Sequence, residues 1–226
     1  MATSTLYVDM MSQPSRACAY FAHLCSLPVT TRLTTLGKKE QRTPEYLAMN
    51  PLGQVPFLRE PDGWGLPESS AILKYLADRH RAKVADHWYP TELRARARVN
   101  AALDWYHGTV RRGAAGVIWN ALIARNMGLP LSRETARVML GVLEGSLKTL
   151  ENVWLKGPGD GGGPFMMGAD KPCIADLLVA EVGGAARRGA AHVYHRLACK
   201  KTKRRPCARC AARSSSFLPL KIHHRI

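Results

Sequence analysis

A serine and a proline stand in the stretch MMSQPSRACAYF, residues 10–21, where a short apolar strand passes into a helix. The hydroxyl of Ser12 has two uses at such a turn. It can cap the helix that Pro14 opens by accepting from a helix amide, or it can donate a hydrogen bond to a bound group. A donor beside a helix N-terminus would stabilise negative charge on that group. Taken alone, the motif favours the cap.

Two later stretches place polar groups at the ends of predicted elements, NPLGQVPFL at 50–58 and PESSAIL at 67–73. Glu68 and Ser69 lie at the start of a predicted helix, whose first amides have no helical acceptors and can therefore bind a carboxylate. The plainer interpretation is a helix cap followed by core residues. The two interpretations are compatible, because capping and anion binding use the same amides.

The elements that carry these residues alternate between strand and helix over the first 80 residues. Apolar alternation and β-branched runs predict strands, and apolar residues at intervals of three and four predict helices. This order favours a small mixed sheet with helices packed on it. Strands are predicted within 5–10, 28–36 and 55–60, and helices within 15–27, 43–50 and 66–80.

From residue 91 onward the pattern is helical only. An apolar stripe from Val99 to Val117 predicts one long amphipathic helix, and a second stripe from Ala136 to Trp154 follows a capping Ser132. A third helix begins near residue 173. The glycine-rich segment at 157–164 lacks the Gly-Lys-Ser/Thr ending of a phosphate-binding loop, so we interpret it as a connection.

Charged residues are distributed unevenly along this chain of 226 residues. All 17 acidic residues lie at or before Glu181, whereas 12 of the 33 Lys and Arg lie in 183–226; the preceding part therefore holds 21 basic against 17 acidic residues, a net charge of +4. We expect a disordered tail that binds polyanions weakly.

The chain has no apolar run of 18 residues and no secretory signal pattern, which predicts a cytoplasmic protein with reduced cysteines and no membrane partner. The basic run 200–205 leaves a nuclear location open.

In this order and at these spacings, six motifs resemble the theta class of glutathione S-transferases, plant members most closely. The resemblance runs from about Leu6 to Glu181 and implies a thioredoxin-like N-terminal domain (1–82), a helical C-terminal domain (91–182, incomplete) and an atypical tail (183–226). The motifs are SQPSRA (12–17), NPLGQVPFL (50–58), PESSAIL (67–73), ADHWYP (85–90), DWYHGTVRRGAAG (104–116) and KPCIADL (171–177).

The resemblance also implies a function and a set of site residues. Family members conjugate glutathione to small electrophiles or reduce organic hydroperoxides, as homodimers and without a metal. A serine that matches Ser12 donates to the glutathione thiolate, and one of two adjacent arginines, by alignment Arg111, steadies that charge. A cis peptide bond before Pro56 is also implied. The residues expected to hold glutathione are Gln41 and Gln54 at the glycyl end, the Val55 backbone at the cysteinyl part, and Glu68 and Ser69 at the γ-glutamyl end.

Two departures from the family pattern keep other interpretations open. Cys173 stands where a capping Ser or Thr is usual, and a basic tail replaces the last helices. A glutathione-binding or interaction protein with little turnover is therefore the alternative, and a nucleic-acid-associated protein directed by 196–213 is a third hypothesis. Cys199, Cys207 and Cys210 do not lay out a clear four-ligand zinc site, so no metal is expected.

Overall fold

The computed structural model describes residues 3–124, 128–157 and 162–182. A mixed four-stranded sheet occupies the first part of the chain, in the order β2-β1-β3-β4. β1 pairs with β2 in parallel and with β3 antiparallel, and β4 pairs antiparallel with β3. The strands are β1 (Ser4–Val8), β2 (Val29–Leu33), β3 (Phe57–Arg59) and β4 (Gly65–Pro67).

Three helices pack with this sheet, and their starting residues explain where they begin. Proline occupies the first turn of both α1 and α2, where its missing N–H costs no hydrogen bond. Thr43 caps α2, since its Oγ1 accepts from the Tyr46 N–H at 3.3 Å. The helices are α1 (Gln13–Leu24), α2 (Pro44–Met49) and α3 (Ser69–Arg79). This confirms the predicted thioredoxin-like order of elements.

The rest of the described chain is helical, as the sequence predicted, but it is built from more segments than the apolar stripes indicated. Wider turns with i to i+5 hydrogen bonding interrupt the first stripe at His107–Arg111, follow it at Trp119–Ile123 and end the second stripe at Leu150–Trp154. The helices are α4 (Leu93–Tyr106), α5 (Arg112–Ile118), α6 (Arg133–Thr149) and α7 (174–182). Within the described ranges, no helix has the length and apolar character needed to cross a bilayer.

The first turn of α7 shows how the unusual Cys173 is accommodated. Asp176 accepts from the Cys173 N–H at 2.8 Å and from the Met166 N–H at 2.9 Å. The carboxylate therefore still reaches the cap amide, as predicted. The Cys173 thiol is buried instead, and burial raises its pKa to about 12. Cys18, Cys25 and Cys173 are all free.

One continuous core joins the sheet region (4–79) to the helical region (93–182). It includes Leu6 and Phe21 from the first and Leu103 and Ile174 from the second, all of them fully buried. Polar contacts add to it: Arg16 pairs with Glu181. The connecting segment also takes part, because Phe21 packs edge-on against Trp88 with ring centroids 5.7 Å apart.

Candidate active site

Ser12 lies at the turn between β1 and α1. Its backbone has the extended conformation of a residue that precedes a helix, and its carbonyl accepts from the Arg16 N–H at 3.1 Å. The side chain, however, makes no cap hydrogen bond. The hydroxyl thus stands at the cap position without acting as a cap, half-buried and available to donate to a ligand.

Charged side chains hold the backbone just before Ser12. The carboxylate of Asp9 accepts from the N–H groups of Met11 and Leu36, each at 2.7 Å. The Arg16 guanidinium donates to the Met10 carbonyl at 2.8 Å. Asp9 therefore connects the Ser12 turn to the loop after β2. Sequence reasoning missed Asp9, although an acid that directly follows an apolar strand is a usable signal for a turn-binding carboxylate.

Arg111 reaches the Ser12 turn from the helical region. Its Nη1 donates to the Oε1 of Gln13 at 2.8 Å, and Gln13 is the residue that follows Ser12. The neighbouring Arg112 is exposed. Of the two adjacent arginines, Arg111 is thus the one that lies beside the turn.

Several buried polar atoms near this turn have no partner among the described residues: Gln13 Nε2, Ser15 Oγ and Tyr106 Oη. Ser15 lies two residues inside α1, where its hydroxyl cannot be the helix cap, and it is fully buried. Burial raises the pKa of Tyr106 to about 12, so this phenol keeps its proton.

The start of α3 carries Glu68 and Ser69. Glu68 is exposed and has a positive φ of 70°, an uncommon backbone conformation for a residue with a side chain, whereas Ser69 is buried. The Ser69 carbonyl accepts from the Cys18 thiol at 3.6 Å, which attaches this helix start to α1. The predicted carboxylate and hydroxyl are thus adjacent, one facing solvent and one in the core.

His107 is a second residue that sequence reasoning missed. It begins the wide turn that ends with Arg111, and it is partly buried. Burial lowers its pKa; the negative charge of Glu68 opposes that shift, and the positive charge of Arg111 adds to it. His107 therefore lies within electrostatic reach of both the α3 start and Arg111. The sequence signal for His107 is its position four residues before Arg111, a spacing that places two side chains on the same face of a helix.

The glycyl-end candidates lie on two loops that touch. Gln41 belongs to the short turn Glu40–Arg42, and Gln54 follows Gly53, which has a positive φ of 57°. A Cβ on Gly53 would lie 3.0 Å from the Gln41 carbonyl oxygen, so only glycine fits there. Gln54 is exposed and Val55 partly so, and the Val55–Pro56 peptide bond is cis, which confirms that expectation.

Comparison with known proteins decides the family. The family model described as "Glutathione S-transferase, N-terminal domain" matches residues 6–84. Glutathione S-transferase T1 of Arabidopsis thaliana is 44% identical over 179 residues, which are 78% of this chain and 70% of that protein. The chain belongs to the theta class of glutathione S-transferases. The resemblance seen in the motifs is thereby confirmed.

A solved theta-class structure agrees in fold as well. Human glutathione transferase theta-2, crystallised in complex with glutathione and an unknown ligand, superposes with a TM-score of 0.72 at 34% identity. The match covers 79% of this chain and 70% of the human chain. A thioredoxin-like sheet region followed by helices is thus the architecture that this theta-class chain shares with its relatives.

Relatives differ in how much lies outside the shared part. Glutathione S-transferase T2 of Arabidopsis thaliana is 43% identical over 179 residues, but the chain spans only 29% of the length of that protein. The basic tail of this theta-class chain, 183–226, lies outside the described residues. The predictions of disorder, polyanion binding and nuclear location fall on that tail, as do the three cysteines weighed as zinc ligands.

Three aromatic residues of the helical region separate into core and surface. Tyr106 is fully buried, and Trp105 packs against Trp154 with ring centroids 5.3 Å apart. Trp119 is 44% exposed. In this theta-class fold, Tyr106 and Trp105 serve packing, and Trp119 is the aromatic of the three that faces solvent.

Proposed function

We propose that the protein is a glutathione transferase in which the Ser12 hydroxyl donates a hydrogen bond to the glutathione sulfur. The observation that carries this proposal is the free hydroxyl at the start of α1, which caps no helix amide. A hydrogen bond to the charged form and the positive end of a helix both favour the thiolate. Ser12 keeps its own proton in this scheme.

The rest of the ligand follows from the surrounding groups. Arg111, beside Gln13, adds positive charge near the sulfur. Gln41 and Gln54 would bind the glycyl carboxylate, the Val55 backbone the cysteinyl unit, and Glu68 and Ser69 the γ-glutamyl group. These five residues lie on loops or at a helix start, where polar groups are free to bind a ligand.

Two reactions are open to such a thiolate. In conjugation, the sulfur attacks an electrophilic carbon, a C–S bond forms, and the leaving group departs with its electron pair. In hydroperoxide reduction, the thiolate attacks the peroxide oxygen and the O–O bond breaks, giving a sulfenic acid and an alkoxide that takes a proton to become the alcohol. A second glutathione then forms the disulfide and releases water. Theta-class membership supports the conjugation, and the hydroperoxide reaction is proposed from the same thiolate chemistry.

The test uses the purified full-length chain. Glutathione binding is measured by calorimetry, and turnover is measured with an alkyl halide and with cumene hydroperoxide. We expect Ser12→Ala to lower turnover with either substrate at least tenfold, as the loss of a hydrogen bond to a charged group predicts. Binding without turnover in the wild-type chain would favour the non-enzymatic alternative. Activity that survives in Ser12→Ala but not in Ser15→Ala would assign the donor to Ser15.

We also propose a cytoplasmic homodimer. Trp64, in the turn between β3 and β4, is 46% exposed and packs against Tyr75 with ring centroids 5.0 Å apart. Large aromatic side chains on the surface are typical of interfaces. Sedimentation at several concentrations tests this, and Trp64→Ser should shift the equilibrium toward monomer. A wild-type chain that sediments as a monomer throughout would contradict it.

A further inference from the structure

The backbone carbonyl of Gln54 accepts two hydrogen bonds from side chains. The Tyr46 hydroxyl donates to it at 2.7 Å, and the Asn50 Nδ2 donates to it at 2.9 Å. A carbonyl oxygen has two lone pairs, so both are occupied. This double attachment is made to a loop residue that precedes β3 and lies outside the sheet ladder.

Both donors are held firmly. Tyr46 is 4% exposed and packs edge-on against Phe57 in a small aromatic cluster under the sheet. Asn50 is 2% exposed, and its Oδ1 accepts from the Leu52 N–H at 3.3 Å. The Asn50 carbonyl accepts from the Gly53 N–H at 2.9 Å. The loop 50–54 is thus closed by its own hydrogen bonds and anchored to the end of α2.

Fixing this oxygen also fixes the next amide. The Gln54–Val55 peptide is trans, so its C=O and N–H point in opposite directions in one plane. The Val55 N–H therefore points away from Tyr46 and Asn50. No group within the described part of the chain accepts a hydrogen bond from it.

We infer that Tyr46 and Asn50 are positioning residues for glutathione: they orient the Gln54–Val55 peptide so that the Val55 N–H faces the backbone of the bound tripeptide. This rests on the proposed function, in which the ligand pairs with the Val55 backbone in the manner of an added strand. Neither side chain contacts the ligand in this scheme. Their effect is on affinity, because a peptide already in the binding orientation loses less freedom on binding.

The fold supplies a matched control in Tyr7. Its ring lies 5.8 Å from that of Tyr46 in the same cluster, and it is 6% exposed. Its hydroxyl donates only to the Met49 sulfur, at 3.7 Å. Tyr46→Phe and Tyr7→Phe each remove one phenolic oxygen from one cluster, but only the first removes a hydrogen bond to the Gln54 carbonyl. A general effect on packing would move both variants equally.

The experiment compares glutathione affinity by calorimetry and steady-state kinetics in the full-length chain. We expect Tyr46→Phe to raise Kd and KM for glutathione about five- to tenfold, the size of one hydrogen bond. We expect kcat at saturating glutathione and KM for the electrophile to stay within about twofold. Tyr7→Phe should leave all four values within about twofold of wild type.

A second readout needs no ligand. Amide hydrogen exchange in the loop 50–55 of the free protein should speed up in Tyr46→Phe and stay unchanged in Tyr7→Phe, because a peptide held by one hydrogen bond instead of two opens more often. Asn50→Asp, which keeps the acceptor for Leu52 but places a carboxylate against the Gln54 oxygen, should weaken binding further. If Asn50→Asp fails to fold, the comparison of Tyr46→Phe with Tyr7→Phe still tests the positioning role.

The outcomes separate the two proposals. A wild-type chain that does not bind glutathione overturns the proposed function and, with it, this inference. A wild-type chain that binds, with Tyr46→Phe matching Tyr7→Phe in affinity and in loop exchange, overturns the positioning role alone. A drop in kcat without a change in KM for glutathione would also contradict it.

Discussion

Arg111 Nη1 and Gln13 Oε1 are 2.8 Å apart, which joins the helical region to the residue that follows Ser12. The contact spans 98 positions of sequence. The guanidinium brings a positive charge beside the turn. The same contact orients Gln13, whose Nε2 has no partner among the described residues.

Arg111→Met should lower kcat/KM about tenfold or more, since it removes both that charge and the hydrogen bond to Gln13. Arg112→Met is the matched control, because Arg112 is exposed and one position away. Steady-state kinetics with glutathione varied and the electrophile saturating gives the comparison. Equal losses in the two variants would indicate a general electrostatic effect and contradict a specific role for Arg111.

Ser12→Ala should raise the pKa of the glutathione thiol in the bound state by about one to two units, the equivalent of a hydrogen bond to a charged group. The sign follows from the donor: Ser12 favours the thiolate, so removing it favours the thiol and reduces the thiolate fraction near neutral pH. The ultraviolet absorbance of the thiolate, titrated in the presence of saturating glutathione, measures this. An unchanged titration would remove Ser12 from its proposed role.

Much of this fold could be predicted from sequence, because the signals are local. Ser132 caps the helix that its position predicted, since a cap depends on amides only two or three residues away. The apolar stripe likewise identified Val99, Leu103 and Val110 as buried. The wide turns at His107–Arg111 and Trp119–Ile123 were missed, because they leave apolar periodicity nearly unchanged.

The candidate site was predictable only in part, for a different reason. Ser12, Val55 and Glu68 stand in motifs whose residues are consecutive in the sequence. Such motifs can be recognised without knowledge of the fold. Asp9 and Gln13, by contrast, gain their significance from partners reached through folding: Leu36 is 27 positions from Asp9, and Arg111 is 98 positions from Gln13. Contacts at that separation depend on how the elements pack, which a single sequence does not display.

Glu181→Gln should lower the free energy of unfolding by about 1–2 kcal/mol, between the small value of a surface pair and the larger cost of breaking a buried one. Glu181 pairs with Arg16, and the two side chains are 18% and 21% exposed. Because Arg16 also holds the Met10 carbonyl, replacing the glutamate isolates the ion pair. Urea denaturation measures the change.

Asp78→Asn provides the comparison for that experiment. Asp78 pairs with Arg81 and Arg96 at the surface, and its side chain is 46% exposed. Its replacement should lower the free energy of unfolding by less than about 1 kcal/mol. A larger loss in Asp78→Asn than in Glu181→Gln would show that the Arg16 pair does not tie α7 to α1 in solution.

Glu92→Gln should make stability less dependent on acid pH. Glu92 caps α4, accepting from the Arg94 and Ala95 amides at 2.8 and 2.7 Å, and these hydrogen bonds lower its pKa. A lowered pKa in the folded state means that the stabilisation is present above the unfolded value of about 4.3 and is lost as pH falls through the folded value. Urea midpoints from about pH 6 to pH 3 should fall less in the variant. Glu144→Gln, on the exposed middle of α6, should follow the wild-type curve.

Gly113→Ala should destabilise the helical region by about 1–3 kcal/mol, the usual cost of overpacking. Gly113 allows α5 to approach α6 so closely that an added Cβ would lie 2.7 Å from the Leu143 backbone nitrogen. Backbone cannot move aside as a flexible side chain can, so the two helices must separate.

Gly108→Ala is the control, because nothing lies within 4 Å of its added Cβ. That variant should be neutral or more stable by up to about 1 kcal/mol, since alanine favours helix over glycine. Thermal unfolding of both variants decides, and a Gly113→Ala protein as stable as wild type would contradict the close packing of α5 on α6.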